Sequence, residues 1–102
     1  MANIDFDEYL QEKLKNPEYQ REWLRTTAFE YIRTGNYKDF FSDLEDVIKA
    51  NTTVTEFARK IDMDRVQLTK ILKGKTKAPT ITTINKILDG LGYEIKIQQK
   101  TA

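Results

Sequence analysis

The chain is expected to fold as a mainly α-helical domain with one short C-terminal β-strand. Three observations lead there. Apolar residues recur at i, i+3, i+4 and i+7 through most of the sequence, as in Val54, Phe57, Ala58 and Ile61. Asn, Thr, Asp and Pro stand just ahead of these runs, where helices start. Only after Gly92 does the period fall to two, with Tyr93, Ile95 and Ile97 alternating with Glu94, Lys96 and Gln98.

Taken in order, the first helix is expected from Asp5 to Leu14, with Phe6, Tyr9, Leu10 and Leu14 as its stripe. Asn16-Pro17 reads as an N-cap followed by Pro at the first helical position. The second helix then runs from about Glu18 to Thr34 and stops at Gly35. Its apolar residues, including Tyr19, Trp23, Leu24, Phe29, Tyr31 and Ile32, cover far more than the ~100° stripe of a one-sided helix. Two readings stay open: these aromatics are the core of a small helical domain, or part of them is a partner surface. A third helix starts near Tyr37 with the stripe Tyr37, Phe40, Phe41, Leu44, Val47 and Ile48. Asp43, Glu45 and Asp46 on it read as a solvated acidic face.

Asn51-Thr52-Thr53 breaks that helix and caps the next at Val54. A tight turn then leads to a helix from Asp64 to Lys73, with Asp64 as cap and Leu68, Ile71 and Leu72 inward. After a loop at Lys75–Pro79, Thr80 caps a helix from Ile81 to Leu88 that buries Ile81, Ile84, Ile87 and Leu88 and ends at Gly90. The strand Tyr93–Gln98 has no second strand in the sequence to pair with. The same strand of a second copy, or the sheet edge of another protein, is its expected partner.

The chain has 102 residues and no cysteine or histidine, and its only serine is Ser42. That excludes disulfides, Ser–His and Cys–His nucleophiles and His/Cys zinc sites. No catalytic residue, metal site or cofactor is expected, so the chain does not read as an enzyme. It has no apolar run long enough to span a bilayer, so no membrane association is expected, and lack of cysteine suits the cytoplasm. The net charge of +1 hides an asymmetry. Residues 1–50 carry 7 Lys/Arg against 11 Asp/Glu, and residues 51–102 carry 10 against 5. The basic half suits a polyanion; the acidic half suits something else.

Two short helices joined by so tight a turn cross steeply, which is helix-turn-helix geometry. The residues from Val54 to Pro79 resemble the Xre/Cro-type DNA-binding domain of phage repressors. Ala58 fits where the two helices touch, Met63 fits the apolar turn position, and Lys73-Gly74-Lys75-Thr76-Lys77-Ala78-Pro79 resembles the loop after the recognition helix. Asp62 stands where that family usually has Gly, at a position that often needs positive φ. The expected fold is thus a repressor-like helix-turn-helix bundle with two N-terminal helices and a short C-terminal β-strand. Its expected division is a helical segment at residues 1–36, the helix-turn-helix domain at 37–92 and a strand and tail at 93–102.

This resemblance implies base contacts from Arg65, Val66 and Lys70. The exposed helix face adds Gln67 and Thr69. Phosphate contacts are expected from Thr53, Lys73, Lys75 and Lys77. The phrase Leu14-Lys15-Asn16-Pro17-Glu18 and the tail Leu91-Gly92-Tyr93-Glu94-Ile95-Lys96-Ile97 also resemble HigA-like antitoxins of type II toxin–antitoxin modules. That resemblance implies a homodimer that represses its own operon and neutralises a RelE/HigB-like mRNA-cleaving toxin. Phe6, Tyr9, Tyr19 and Trp23 are the expected toxin anchors. The alternatives are a phage-type or cellular repressor without a toxin partner, and an interaction module that has lost DNA binding.

Overall fold

The computed structural model of the chain describes residues 6–101, and within them six helices follow one another. They are α1 (Phe6–Leu14), α2 (Pro17–Thr34), α3 (Tyr37–Asn51), α4 (Val54–Lys60), α5 (Arg65–Leu72) and α6 (Ile81–Gly90). The expected helix start at Asp5 lies outside the described residues.

Local side-chain chemistry starts almost every element. Asn16 accepts hydrogen bonds from the backbone N–H of Glu18 and Tyr19 at 2.9 and 3.1 Å, with Pro17 at the first helical position. Asn36, Thr53, Asp64 and Thr80 cap α3 to α6, each accepting from an N–H three residues on. These bonds satisfy donors that the first turn leaves orphaned.

Left-handed residues close α2, α4, α5 and α6, whereas α3 ends on the extended Thr52. Gly35 stops α2 with φ 75°, and its N–H donates to the Tyr31 carbonyl. Asp62 takes φ 54°, and the following Met63 N–H reaches the Ala58 carbonyl at 2.9 Å while Asp62 N–H reaches Arg59. That is a Schellman closure, repeated at Gly74 and Gly92. Asp62 is the one non-glycine among the described residues with positive φ, as its place in the turn led one to expect.

Four helices converge on α3, which packs against α1, α2, α4 and α5. Phe41, Leu44, Val47 and Ile48 are fully buried. Leu10, Leu14 and Leu24 join them from α1 and α2, Phe57 and Ala58 from α4, Leu68, Ile71 and Leu72 from α5, and Ile84, Ile87 and Leu88 from α6. The N-terminal helices therefore complete the same core as the helix-turn-helix.

Several expectations are corrected. The described residues contain no strand. Over residues 93–101 the chain has no regular secondary structure, with Ile95 exposed and Ile97 102% exposed, and an ion pair joins Lys96 to Glu94 at 3.1 Å. Alternation makes a segment competent for pairing, but a ladder needs a second strand and none is present among the described residues. Tyr93 instead folds back, its hydroxyl donating to Gln20 Oε1 at 2.9 Å on α2. Ile81, at the first position of α6, lies outside the packed face and is 66% exposed. Of the α1 stripe only Leu10 and Leu14 are buried.

The acidic residues of α3 are not a solvated face. Glu45 is buried within the stripe, and Asp43 accepts from the Thr27 hydroxyl. α6 ends at Gly90 as expected, and the left-handed residue that closes it is Gly92. Gly90, the last residue of α6, must be glycine because a Cβ there would overlap Ile61 Cγ2 and come within 2.9 Å of Phe57 Cζ.

Gly90→Ala is expected to destabilise the fold. Alanine improves helix propensity by about 1 kcal/mol, but overlap with the packed side chains of Phe57 and Ile61 costs about 1–3 kcal/mol and outweighs it. A urea midpoint equal to or above that of the wild type contradicts this.

At Asp62, the left-handed conformation costs a side chain about 1–2 kcal/mol, least for Asp and Asn. Asp62→Val should lower thermal stability while Asp62→Gly should not. Equal melting temperatures for the two variants would remove the argument.

Burial, followed by the charges of Asp43, Asp7 and Glu45, pushes the Asp46 carboxyl up to about 6, only partly opposed by Lys49. A raised folded pKa means that the fold prefers the protonated acid. The stability it contributes is complete below 3.8 and is lost as pH rises through about 6. Asp46→Asn should therefore raise the denaturation midpoint at neutral pH, with the gain vanishing on acidification. A pH-independent gain would show that charge is not the cause.

Candidate nucleic-acid interface

The helix α5 is an eight-residue element held at both ends and from beneath. Asp64 Oδ2 accepts from the Gln67 N–H at 3.1 Å, which sets its first turn. At its other end the Lys75 N–H closes on the Lys70 carbonyl at 2.9 Å around Gly74. Leu68, Ile71 and Leu72 anchor its inner face.

Its outer face is what remains once those three are buried. Arg65, Gln67 and Lys70 are exposed, and Thr69 is half-buried. Val66, an apolar residue, is 51% exposed on the first turn. Solvent gains nothing from an apolar side chain there, whereas a groove offering methyl groups does. Thr53 lies exposed at the head of α4, where its hydroxyl oxygen accepts from the Glu56 N–H at 3.1 Å and leaves its own proton for another acceptor.

The flanking loop is basic. Lys75 and Lys77 are exposed, and Thr76 donates its hydroxyl to the Lys77 carbonyl at 3.1 Å. Among the described residues, Arg65, Lys70, Lys75 and Lys77 form no ion pair, so their charge is available to a polyanion. Lys73 differs. Its ammonium sits 3.0 Å from Glu45 Oε1, with Lys49 3.9 Å from the same oxygen. A buried carboxylate needs a counter-charge, and Lys73 supplies it from the end of α5.

Sequence reasoning missed Glu45 as a positioning residue. A signal was present: Phe41, Leu44, Glu45 and Ile48 share one helical face, so a charge stood inside an apolar stripe. It also missed Lys38, whose side chain covers Gly74 so closely that a Cβ there would lie 2.9 Å from Lys38 Cγ.

The remaining expected site residues lie on the other half. Phe6 is 69% and Tyr9 53% exposed on α1, with Lys13 Nζ 5.5 Å from the Tyr9 ring centre. Tyr19 is exposed at the start of α2. Trp23 is half-buried, and its indole N–H faces the Asp43 carbonyl at 3.5 Å. Among the described residues no cluster of acidic side chains is placed to hold a metal ion, and no helix is long and apolar enough to cross a membrane.

No curated protein and no solved structure matches the chain. A family model described as helix-turn-helix matches residues 45–97, just over half of the sequence, and takes in α4, α5 and α6. With a capped recognition helix, an outward polar face and a basic loop at the matched positions, the chain belongs to the helix-turn-helix family of DNA-binding regulators.

Proposed function

We propose that this chain is a cytoplasmic antitoxin that binds operator DNA as a homodimer, represses its own operon and neutralises a RelE/HigB-like mRNA-cleaving toxin. The observation that carries the DNA reading is the outward face of α5. Arg65, Val66, Gln67, Thr69 and Lys70 form it while the core fixes the helix behind them. The first turn of a recognition helix meets base edges, and Arg65 in that turn can bond bidentately to guanine. Thr53, Lys75 and Lys77 serve the phosphates, and Lys73 adds to that field from its pair with Glu45. One helix reads too few base pairs for a useful specificity ratio, so two copies on a two-fold operator fit best.

The toxin reading rests on the antitoxin-like phrases of the sequence, on the acidic charge of residues 1–50 and on the exposed Phe6, Tyr9 and Tyr19. A toxin that acts on RNA presents basic surface, which an acidic partner attracts.

Two sets of variants separate base readout from phosphate binding. Arg65→Ala should cost about 1–3 kcal/mol on the specific operator and relax one base pair. Replacing Lys75 and Lys77 together by Ala should weaken binding to all DNA alike and reduce the salt slope by about 1 per lysine. Gel shifts over a salt series distinguish the two. A uniform loss from Arg65→Ala would make it a phosphate contact.

For the toxin, deletion of the N-terminal helices is a poor test, because Leu10, Leu14 and Leu24 belong to the core. Phe6→Ala with Tyr9→Ala leaves that core intact. The double variant should retain operator binding but co-purify less with a small basic RNase encoded beside it. Unchanged capture and rescue would clear α1 of that role, and a neighbouring gene of another kind would leave a repressor without a toxin partner.

A further inference from the structure

On the side of α3 away from α5, an open cleft of about 350 Å³ separates it from α2. This lies at the lower end of the roughly 300–1,000 Å³ range of ligand sites. Trp23, Tyr31 and Phe40 wall it, with the last two rings stacked at 4.9 Å. Glu30, Asp39 and Asp43 supply its charge, and no Lys or Arg lines it.

The carboxylates are held but not neutralised. Asp43 accepts from the Thr27 hydroxyl, and Asp39 accepts from Asn36 Nδ2 at 2.7 Å. Both donors are neutral. Only Glu30 has a cationic partner, Arg33 at 3.1 Å, and that pair is exposed. A carboxylate has about four lone-pair sites, so acceptor capacity remains at each. Burial raises the Asp43 pKa; the Thr27 hydrogen bond opposes this and the Asp39 charge adds to it. A cation placed here would relieve that excess of negative charge.

The shape selects among cations. Among the described residues no acidic group is arranged to hold a metal ion. An ammonium is compact and strongly hydrated, and aromatic walls repay its water poorly. A guanidinium is planar and weakly hydrated; it stacks on aromatic faces and meets carboxylates with two parallel N–H bonds.

We propose that the α2–α3 cleft receives an arginine side chain of a basic protein partner. The proposal rests on the reading that the acidic half of this chain takes such a partner. It goes further in adding to the α1 contacts a specific arginine pocket at Trp23, Tyr31, Asp39 and Asp43.

Trp23 is the only tryptophan in the chain, so its fluorescence reports occupancy directly. The full chain is titrated with the peptide acetyl-Gly-Arg-Gly-amide, with its lysine and citrulline counterparts, and with spermidine. A saturable change is expected with the arginine peptide, a several-fold weaker one with lysine and none with neutral citrulline. Spermidine should bind more weakly than arginine; tighter binding would make this a polyamine site and overturn the protein-partner proposal. Asp39→Asn and Asp43→Asn should each weaken the arginine response several-fold. If Asp43→Asn unfolds by circular dichroism, Asp39→Asn decides alone. No saturation with arginine, an equal response to citrulline, or undiminished binding by a folded Asp39→Asn variant overturns the proposal. The titration needs no toxin. Arginine binding without toxin capture removes the toxin reading alone, and toxin capture without arginine binding removes this one alone.

Discussion

Helix α3 is shared by both halves of the chain, and its burial constrains everything else. Phe41, Leu44, Val47 and Ile48 meet α1 and α2 on one side and α4 and α5 on the other. Each such side chain contributes about 1.5–3 kcal/mol on leaving water. That exceeds the net of roughly 1 kcal/mol from a typical hydrogen bond. Packing therefore sets where the helices lie, and caps and turns set where they begin and end. Glu45 is the exception within that apolar contact. Buried in the stripe, it holds Lys73 at 3.0 Å and thereby ties the end of α5 to α3.

The consequence for DNA recognition is preorganisation. A helix of eight residues is far below the about 12–15 needed for stability alone in water. Its shape is imposed by the Asp64 cap, the Gly74 closure and three buried apolar residues. A groove then meets side chains whose backbone is already in place, and binding spends less free energy on ordering. Arg65, Lys70, Lys75 and Lys77 are among the cations left without an ion pair, so this part of the chain presents free positive charge.

Charge separation follows the same division. Acidic side chains gather on α1 to α3, where Asp7, Asp43 and Glu45 all push the Asp46 pKa upward. At physiological salt, fields between exposed groups fade over about 8 Å, so the two surfaces act largely independently. A polyanion finds the α5 side attractive and the α2–α3 side unfavourable. The α2–α3 cleft and the α5 face share the helix α3 between them but no lining residue.

Much of this was legible in the residues because the interactions involved span only a few positions. A cap at Asn16, Thr53, Asp64 or Thr80 bonds an N–H two or three residues ahead, so its chemistry is written beside it. The left-handed Asp62 was legible from its place in the turn, and the inner faces of α3 and α5 from their apolar spacing. What the sequence left undecided involves groups distant along the chain. Alternation at Tyr93–Gln98 marks a segment able to pair, but pairing needs a partner strand, and Tyr93 went to Gln20 instead. Gly90 and Gly92 look alike in the sequence. Only the approach of α4 shows that one makes room for Ile61 and Phe57 while the other supplies the positive φ. The Glu45–Lys73 pair spans 28 residues, and the cleft is lined by residues of α2 and α3 far apart along the chain, Trp23 and Asp43 among them. Local bonding decided the elements; which faces met, and which charges they enclosed, was decided by the tertiary packing of the core.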